Sequence, residues 1–267
     1  MSTKSRTAAP APAEYLESLG RGLQVLSLFG AGGRHRLTMT EAAELLGLTR
    51  AAAMRVLTTL EHLGYLRRVD RTYTLTARVL SLGFAYLSGL GFRAVAQPIA
   101  DALVADTGET CSIGVLDGAD VVYVLRSEAP RIIRIDLAAG SRIPAYLNSM
   151  GRLLLSSLPA REFRAYLAAL KPVAVTRRTV TSRTRLKQIV ARARADGWCY
   201  IEGEVEQGVS GIAVPIRDPD GRMLAALNLS LVRSHYSQRR VQQTLLPRLL
   251  AGARQIEEIV VSGMTVK

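Results

Sequence analysis

Residues 37–63 constrain the fold of this 267-residue chain more than any other stretch. Thr38 and Glu41 have the spacing of a capping box, in which each residue satisfies an N–H group that a first helical turn leaves open. Ala42, Leu45 and Leu46 give the following helix one apolar face, and Gly47 ends it. Thr49 is a candidate N-cap, and a candidate DNA contact, of a third helix over 50–63, where Ala53, Val56, Leu57, Leu60 and Leu63 recur with the helical period. Two short amphipathic helices across a Gly-containing turn make a helix-turn-helix. The outward side of the third helix carries Arg50, Ala51, Ala52, Arg55, Thr58, Thr59 and His62, with no acidic residue before Glu61. Ala51 and Ala52 let a helix backbone approach base edges. Arg50 and Arg55 can donate to phosphate or guanine, and Thr58 to phosphate. An ordinary solvated face more often mixes Glu with Lys, so this side is expected to enter a duplex.

The flanking segments extend the motif. Leu16, Leu19, Leu23, Val25, Leu26 and Phe29 predict a helix over 15–29, stopped by Gly30-Ala31-Gly32-Gly33. That glycine run lacks the Lys-Ser/Thr of a phosphate-binding loop and reads as an inter-helix connection. Beyond Gly64, two β-prone runs flank Asp70-Arg71 and predict a hairpin. Three helices and a hairpin form a winged helix-turn-helix. Arg67, Arg68 and Arg71 would then lie on the wing, near a phosphate backbone or minor groove; ordinary surface arginines are the alternative.

The net charge of +13 suits a polyanionic partner. It does not locate one, because 31 of the 35 basic residues are Arg and the excess is spread over both halves. With 48% hydrophobic residues the chain can bury a sizeable core. No apolar run reaches the roughly 18–20 residues of a membrane helix. Residues 1–14 lack the apolar stretch of a signal peptide, and a flexible cytoplasmic tail is expected there. Cys111 and Cys199 are far apart among apolar neighbours and read as buried free thiols of a reducing cytosol. His35, His62 and His235 are scattered, so neither a metal nor a cofactor is expected.

The amphipathic stretch 77–90 predicts a linker helix, with Gly89 and Gly91 at its end. Helices are then expected over 93–106, 150–158, 161–170, 186–195 and 238–261. Strands are expected over 110–116, 121–125, 132–136, 198–201, 212–216 and 223–229, with tight turns at Asp117-Gly118 and Asp218-Pro219-Asp220-Gly221. This order lacks regular βαβ repetition and predicts an α+β domain on a mostly antiparallel sheet. The expected organisation is a tail (1–14), a winged helix-turn-helix (15–77), a linker helix (78–91) and a ligand-sensing domain (92–262).

Asn148-Ser149-Met150-Gly151 runs from a polar loop into a helix, where unpaired N–H groups could hold a carboxylate; equally, Asn148 or Ser149 could merely be the N-cap. Asn228 and Ser230 alternate with leucines and point to one side, a pattern that favours a pocket. Arg134 could clamp a carboxylate or pair with Asp136. The basic stretch 161–194 reads as a solvated helical face, balanced partly by Glu202, Glu204 and Glu206, in preference to a second DNA-facing patch. Gly208-Val209-Ser210-Gly211 is not a GxSxG nucleophile turn, and no His accompanies it. No catalytic residue is expected, and the chain is not read as an enzyme.

Ser18-Leu19-Gly20-Arg21-Gly22-Leu23, Leu60-Glu61-His62-Leu63-Gly64-Tyr65, Leu80-Ser81-Leu82-Gly83-Phe84-Ala85-Tyr86-Leu87-Ser88, Leu147-Asn148-Ser149-Met150-Gly151-Arg152 and Ile212-Ala213-Val214-Pro215-Ile216 together resemble the IclR family of bacterial transcription regulators. The resemblance covers about residues 15–261. Asp117-Gly118, Val121-Val122-Tyr123-Val124 and Ala225-Ala226-Leu227-Asn228-Leu229-Ser230 look most like the branch governing protocatechuate, 4-hydroxybenzoate and β-ketoadipate catabolism. It implies a dimerising winged helix, a GAF-like domain that binds a small organic acid, and homodimers or homotetramers. It implies effector contacts at Ser149-Met150, Ser210-Gly211, Asn228 and Ser230. That branch typically has Arg-Ser at the positions of Ser210-Gly211, and Arg134 is a candidate substitute for the lost Arg. The resulting expectation is a cytoplasmic, nucleoid-associated regulator that binds operator DNA, with RNA polymerase as a further partner and no membrane association. An effector-independent architectural DNA-binding protein, or an enzyme fused to a DNA-binding module, are the rival readings.

Overall fold

The computed structural model describes residues 12, 14–29, 34–79, 82, 93–130, 137–232 and 237–264, in two units, Met1–Tyr86 and Leu87–Lys267. The glycine run 30–33, most of the tail, most of the linker helix 78–91, and the strand 132–136 with Arg134 lie outside the described residues.

In the first unit, α1 (Glu17–Ser27), β1 (Leu37–Thr38), α2 (Met39–Leu46), α3 (Arg50–His62), β2 (Leu66–Val69) and β3 (Thr72–Leu75) follow one another. The capping box is formed: the Thr38 N–H donates to Glu41 Oε2 at 2.7 Å, and the Glu41 N–H to Thr38 Oγ1 at 3.2 Å. Gly47 closes α2 at φ 64°, a left-handed conformation that favours glycine. Thr49 caps α3 by accepting the Ala52 N–H at 3.2 Å. Val25, Leu37, Ala42, Leu57, Leu60, Leu66 and Tyr73 share one core. The wing hairpin turns at Asp70-Arg71, and its sheet runs in the order β1-β3-β2. β1, at two residues, is too short to show alternation and was not foreseen.

Three apolar assignments need correction: on α2, Leu45 is 50% exposed and Ala43 is buried beside Ala42 in its place. α3 ends at His62, so Leu63 caps it from outside the buried stripe and is 47% exposed. On α1, Leu16, Leu19 and Leu23 are more than half exposed, while Val25 and Phe29 are buried. The periodicity of α1 is real, but much of its stripe meets no surface within the described residues of this unit.

The second unit runs α4 (Arg93–Thr107), β4 (Thr110–Asp117), β5 (Asp120–Ser127), β6 (Arg142–Pro144), a 3-10 turn (Ala145–Leu147), α5 (Ser149–Ser157), α6 (Ala160–Ala169), α7 (Arg183–Asp196), β7 (Cys199–Glu202), β8 (Val209–Arg217) and β9 (Met223–Val232). The closing helix starts at Gln238–Arg240, widens into a π turn at Val241–Leu245, and continues as α8 (Leu246–Met264). The π turn lies just before Pro247, which cannot donate to an ordinary helical ladder. Among the described residues the six strands of this sheet pair antiparallel, in the order β6-β5-β4-β9-β8-β7. The β4–β5 turn centres on Gly118-Ala119, one residue later than predicted, because Asp117 pairs with Asp120. One sheet face packs Ile113, Val124, Ile212, Val214 and Leu227 against α4 and α8. The other packs Val121, Tyr123, Ala213 and Ala226 against α5 and α7.

Candidate nucleic-acid face and ligand site

On α3, Arg50, Ala51, Arg55 and Thr58 are exposed and Ala52 is half-buried. The Thr49 hydroxyl is engaged as the N-cap, so Thr49 positions the helix. Thr59 Oγ1 donates to the Arg55 carbonyl at 2.8 Å. Ala52, Arg55, Thr59 and Leu63 border a groove of about 580 Å³ whose other wall is Leu19, Leu23 and Leu26 of α1. On the wing, Arg67, Arg68 and Arg71 are all exposed. Arg68 Nε donates to the Asp70 carbonyl at 3.1 Å, bracing the turn. Met54, 42% exposed on α3, went unnoticed in the sequence although its i, i+4 relation to Arg50 and Thr58 marks the same face.

In the second unit, Asn148 is the N-cap of α5: its Oδ1 accepts the Gly151 N–H at 2.7 Å. That N–H is therefore engaged by the cap. A Cβ on Gly151 would lie 2.1 Å from the Ala145 carbonyl oxygen, so glycine lets the 3-10 turn close on the helix. Ser149 Oγ accepts Asn228 Nδ2 at 3.0 Å, and the same nitrogen donates to the Ile212 carbonyl at 3.0 Å. Ser230 Oγ donates to Asn228 Oδ1 at 3.2 Å. A Cβ on Gly211 would lie 3.1 Å from Ser149 Oγ and 3.3 Å from Asn228 Nδ2, so the strand meets the helix there. Met150 is buried in the apolar layer beside the cluster. Asn148 Nδ2 is buried without a hydrogen-bond partner among the described residues. Ser149, Gly211, Asn228 and Ser230 thus converge, next to Asn148 and Met150.

Ser210 does not join them. It alternates with Ile212 and Val214 and faces the α4–α8 side of the sheet, opposite Gly211. Arg134 lies outside the described residues. A cation on the converging face that sequence reasoning missed is Arg126. It stands in register with Ser112, which in turn pairs with Asn228. Arg126 Nη1 donates to Ser112 Oγ at 3.4 Å and Nε to Glu128 at 3.3 Å. Predicting that the strand stopped at 125 hid it, since β5 continues to Ser127.

Glu204, named above among the carboxylates that balance the solvated basic stretch, is instead buried in a two-point ion pair with Arg152, Nη1 to Oε1 at 2.7 Å. Gly203, at φ 67°, turns the chain out of β7, so the two-residue alternation from the exposed Glu202 does not carry on to Glu204. Arg152 Nε donates to the Tyr146 carbonyl at 2.8 Å, and the Val180 N–H to Glu204 Oε2 at 2.9 Å. The pair therefore ties the start of α5 to the loops around 180 and 204. Burial pushes the Cys111 and Cys199 thiols up to about 12. Among the described residues no three His, Cys, Asp or Glu side chains group to hold a metal ion.

The helix-turn-helix profile of the IclR regulators matches residues 18–70, and the C-terminal profile of the same bacterial transcriptional regulators matches residues 84–258. The chain belongs to the IclR family. The Pca regulon regulatory protein of Pseudomonas putida is 39% identical over 244 residues, covering 91% of this chain and 84% of that relative. The p-hydroxybenzoate hydroxylase transcriptional activator of Acinetobacter baylyi is 33% identical over 252 residues, covering 92% and 93%. An IclR homologue from Microbacterium hydrocarbonoxydans, solved in complex with 4-hydroxybenzoate, superposes with a TM-score of 0.81 at 26% identity, covering 92% of this chain and 99% of that one. As in the sequence reading, this IclR-family chain keeps much of its basic stretch 161–194 exposed. Part of it has structural partners: Arg178 pairs with Glu202, Arg183 Nη2 donates to the Leu170 carbonyl, and Arg194 Nη2 donates to the Leu158 carbonyl. Among the described residues no helix is long and apolar enough to cross a membrane.

Proposed function

We propose that this IclR-family regulator binds operator DNA through α3 and the wing, and that a small aromatic or β-ketoadipate-pathway acid changes that binding from a site at the start of α5. In this reading Arg50, Ala51, Ala52, Arg55 and Thr58 approach the major groove, while Arg67, Arg68 and Arg71 meet phosphates. The division into tail 1–14, winged helix 15–77, linker 78–91 and sensing domain 92–262 belongs to the same reading. So do a homodimer or homotetramer, a cytoplasmic, nucleoid-associated location and contact with RNA polymerase.

The observation that carries the effector assignment is the meeting of Ser149 with Asn228, Ser230 and Gly211 at a helix N-terminus, where Asn228 holds the Ser149 hydroxyl beside helix-start backbone that suits a carboxylate. The named relatives and the 4-hydroxybenzoate complex of the Microbacterium homologue favour the aromatic class. A hydrolytic reading has little to stand on: the partner of Ser149 Oγ is an amide, which cannot take its proton.

The test is selection of bound duplexes from a random library, with and without protocatechuate, 4-hydroxybenzoate and β-ketoadipate. One recurrent motif is expected, with enrichment altered by at least one acid. A motif indifferent to all three would overturn the effector assignment, and enrichment of no motif would overturn the whole reading.

A further inference from the structure

α3 turns about 100° per residue. With Ala53, Leu57 and Leu60 buried on one side and Ala52 and Thr59 turned to the α1 groove, the arc from Arg50 to Arg55 holds Met54, Thr58 and Ala51 and, in the last turn, Glu61 and His62. Ala52, Arg55, Thr59 and Leu63 line the groove on the α1 side, whereas Met54 lies off that groove and keeps 42% of its surface exposed. Two hydroxyls of this helix are engaged by its own backbone, Thr49 at the cap and Thr59 at the Arg55 carbonyl. Between the two guanidinium groups the early part of that arc is therefore apolar, at Ala51 and Met54, while Thr58, Glu61 and His62 make its later part polar.

That arrangement has a chemical meaning in a major groove. Guanidinium groups suit phosphate or the acceptor pair of guanine, whereas a small apolar strip finds a partner only in the thymine C5-methyl group. We infer that Met54, backed by Ala51, reads a thymine methyl group, so that each half-site contains a required T·A pair between the positions approached by Arg50 and Arg55. This rests on α3 entering the groove as proposed above. Met54 is a specificity-determining residue in this view: its thioether is long and unbranched enough to reach past Ala51, and it adapts its shape to the methyl it meets.

The test uses the full-length protein and the duplex that it selects. Wild type should lose about threefold to tenfold in affinity when deoxyuridine replaces the critical thymine, less than a bidentate arginine contact supplies. Met54→Ala should show that same loss on the thymine duplex and no further loss on the deoxyuridine duplex, and its own selected motif should relax at that position alone. Met54→Leu should keep most of the preference. All three forms should unfold at similar temperatures, because the side chain is at the surface. The inference is overturned if Met54→Ala keeps the wild-type motif, or if deoxyuridine costs it as much as it costs wild type; α3 as the reading helix survives either result. Failure of wild type to select any motif would remove both.

Discussion

Arg152 and Glu204 show how much one pair can decide. Both are almost fully buried, and each also bonds backbone: Arg152 to Tyr146, Glu204 to Val180. Replacing Glu204 alone with Leu strands a buried guanidinium and should destabilise the second unit by about 3–5 kcal/mol in urea unfolding. Replacing the pair together, Arg152→Met with Glu204→Leu, should recover most of that loss, since a packed apolar pair avoids the desolvation of two charges. Gly151 is as constrained. Its Cβ position overlaps the Ala145 carbonyl, so Gly151→Ala should force the 3-10 turn away from α5, at a cost of about 1–3 kcal/mol in the same measurement. The sequence marks Gly151 as part of a candidate carboxylate site and Glu204 as a balancing charge, and shows neither packing constraint. In packing terms glycine at 151 reads as one more small residue in a helix start, and Glu204 reads as solvated until Gly203 is known to turn the chain.

At the level of elements, the sequence was most legible where side chains bond their own backbone. Thr38, Glu41, Gly47 and Thr49 mark both ends of α2 and the start of α3 because capping chemistry is local. Thr38→Ala should cost about 1 kcal/mol of thermal stability in the first unit. Hydrogen bonds from the Thr38 backbone and then its side chain hold the Glu41 carboxyl below its ordinary 4.5. A depressed carboxylate stabilises above its unfolded value and loses that contribution as pH falls through the folded one. The destabilisation by Thr38→Ala should therefore be full at neutral pH and shrink below about pH 4.5, which thermal melts across pH 3–7 would register. Sheet faces were harder. Alternation placed Asn228 and Ser230 together, but Ser210 and Gly211 were joined only by the family resemblance, although neighbours in a strand point to opposite faces. Side-chain contacts across a strand pair, such as Arg126 with Ser112, leave no periodic trace at all.

For the whole molecule, the excess of arginine divides into groups with different duties. Arg152, Arg183 and Arg194 are engaged by the fold, so net charge overstates what is available to a polyanion. The wing arginines are the ones that should register in a salt titration. Arg67→Ala should weaken operator binding across all sequences and flatten the plot of log affinity against log salt by about one unit. An unchanged slope would remove Arg67 from the phosphate contacts.

The bare leucines of α1 carry a practical corollary. Leu16, Leu19 and Leu23 present a greasy ridge that water solvates poorly. A dye that fluoresces on such ridges should brighten as the protein is diluted and dim as it is concentrated, if copies of the chain shelter the ridge from one another. Dilute stocks should likewise adsorb to plastic, so titrations begun at nanomolar protein will understate the active fraction unless a carrier is present.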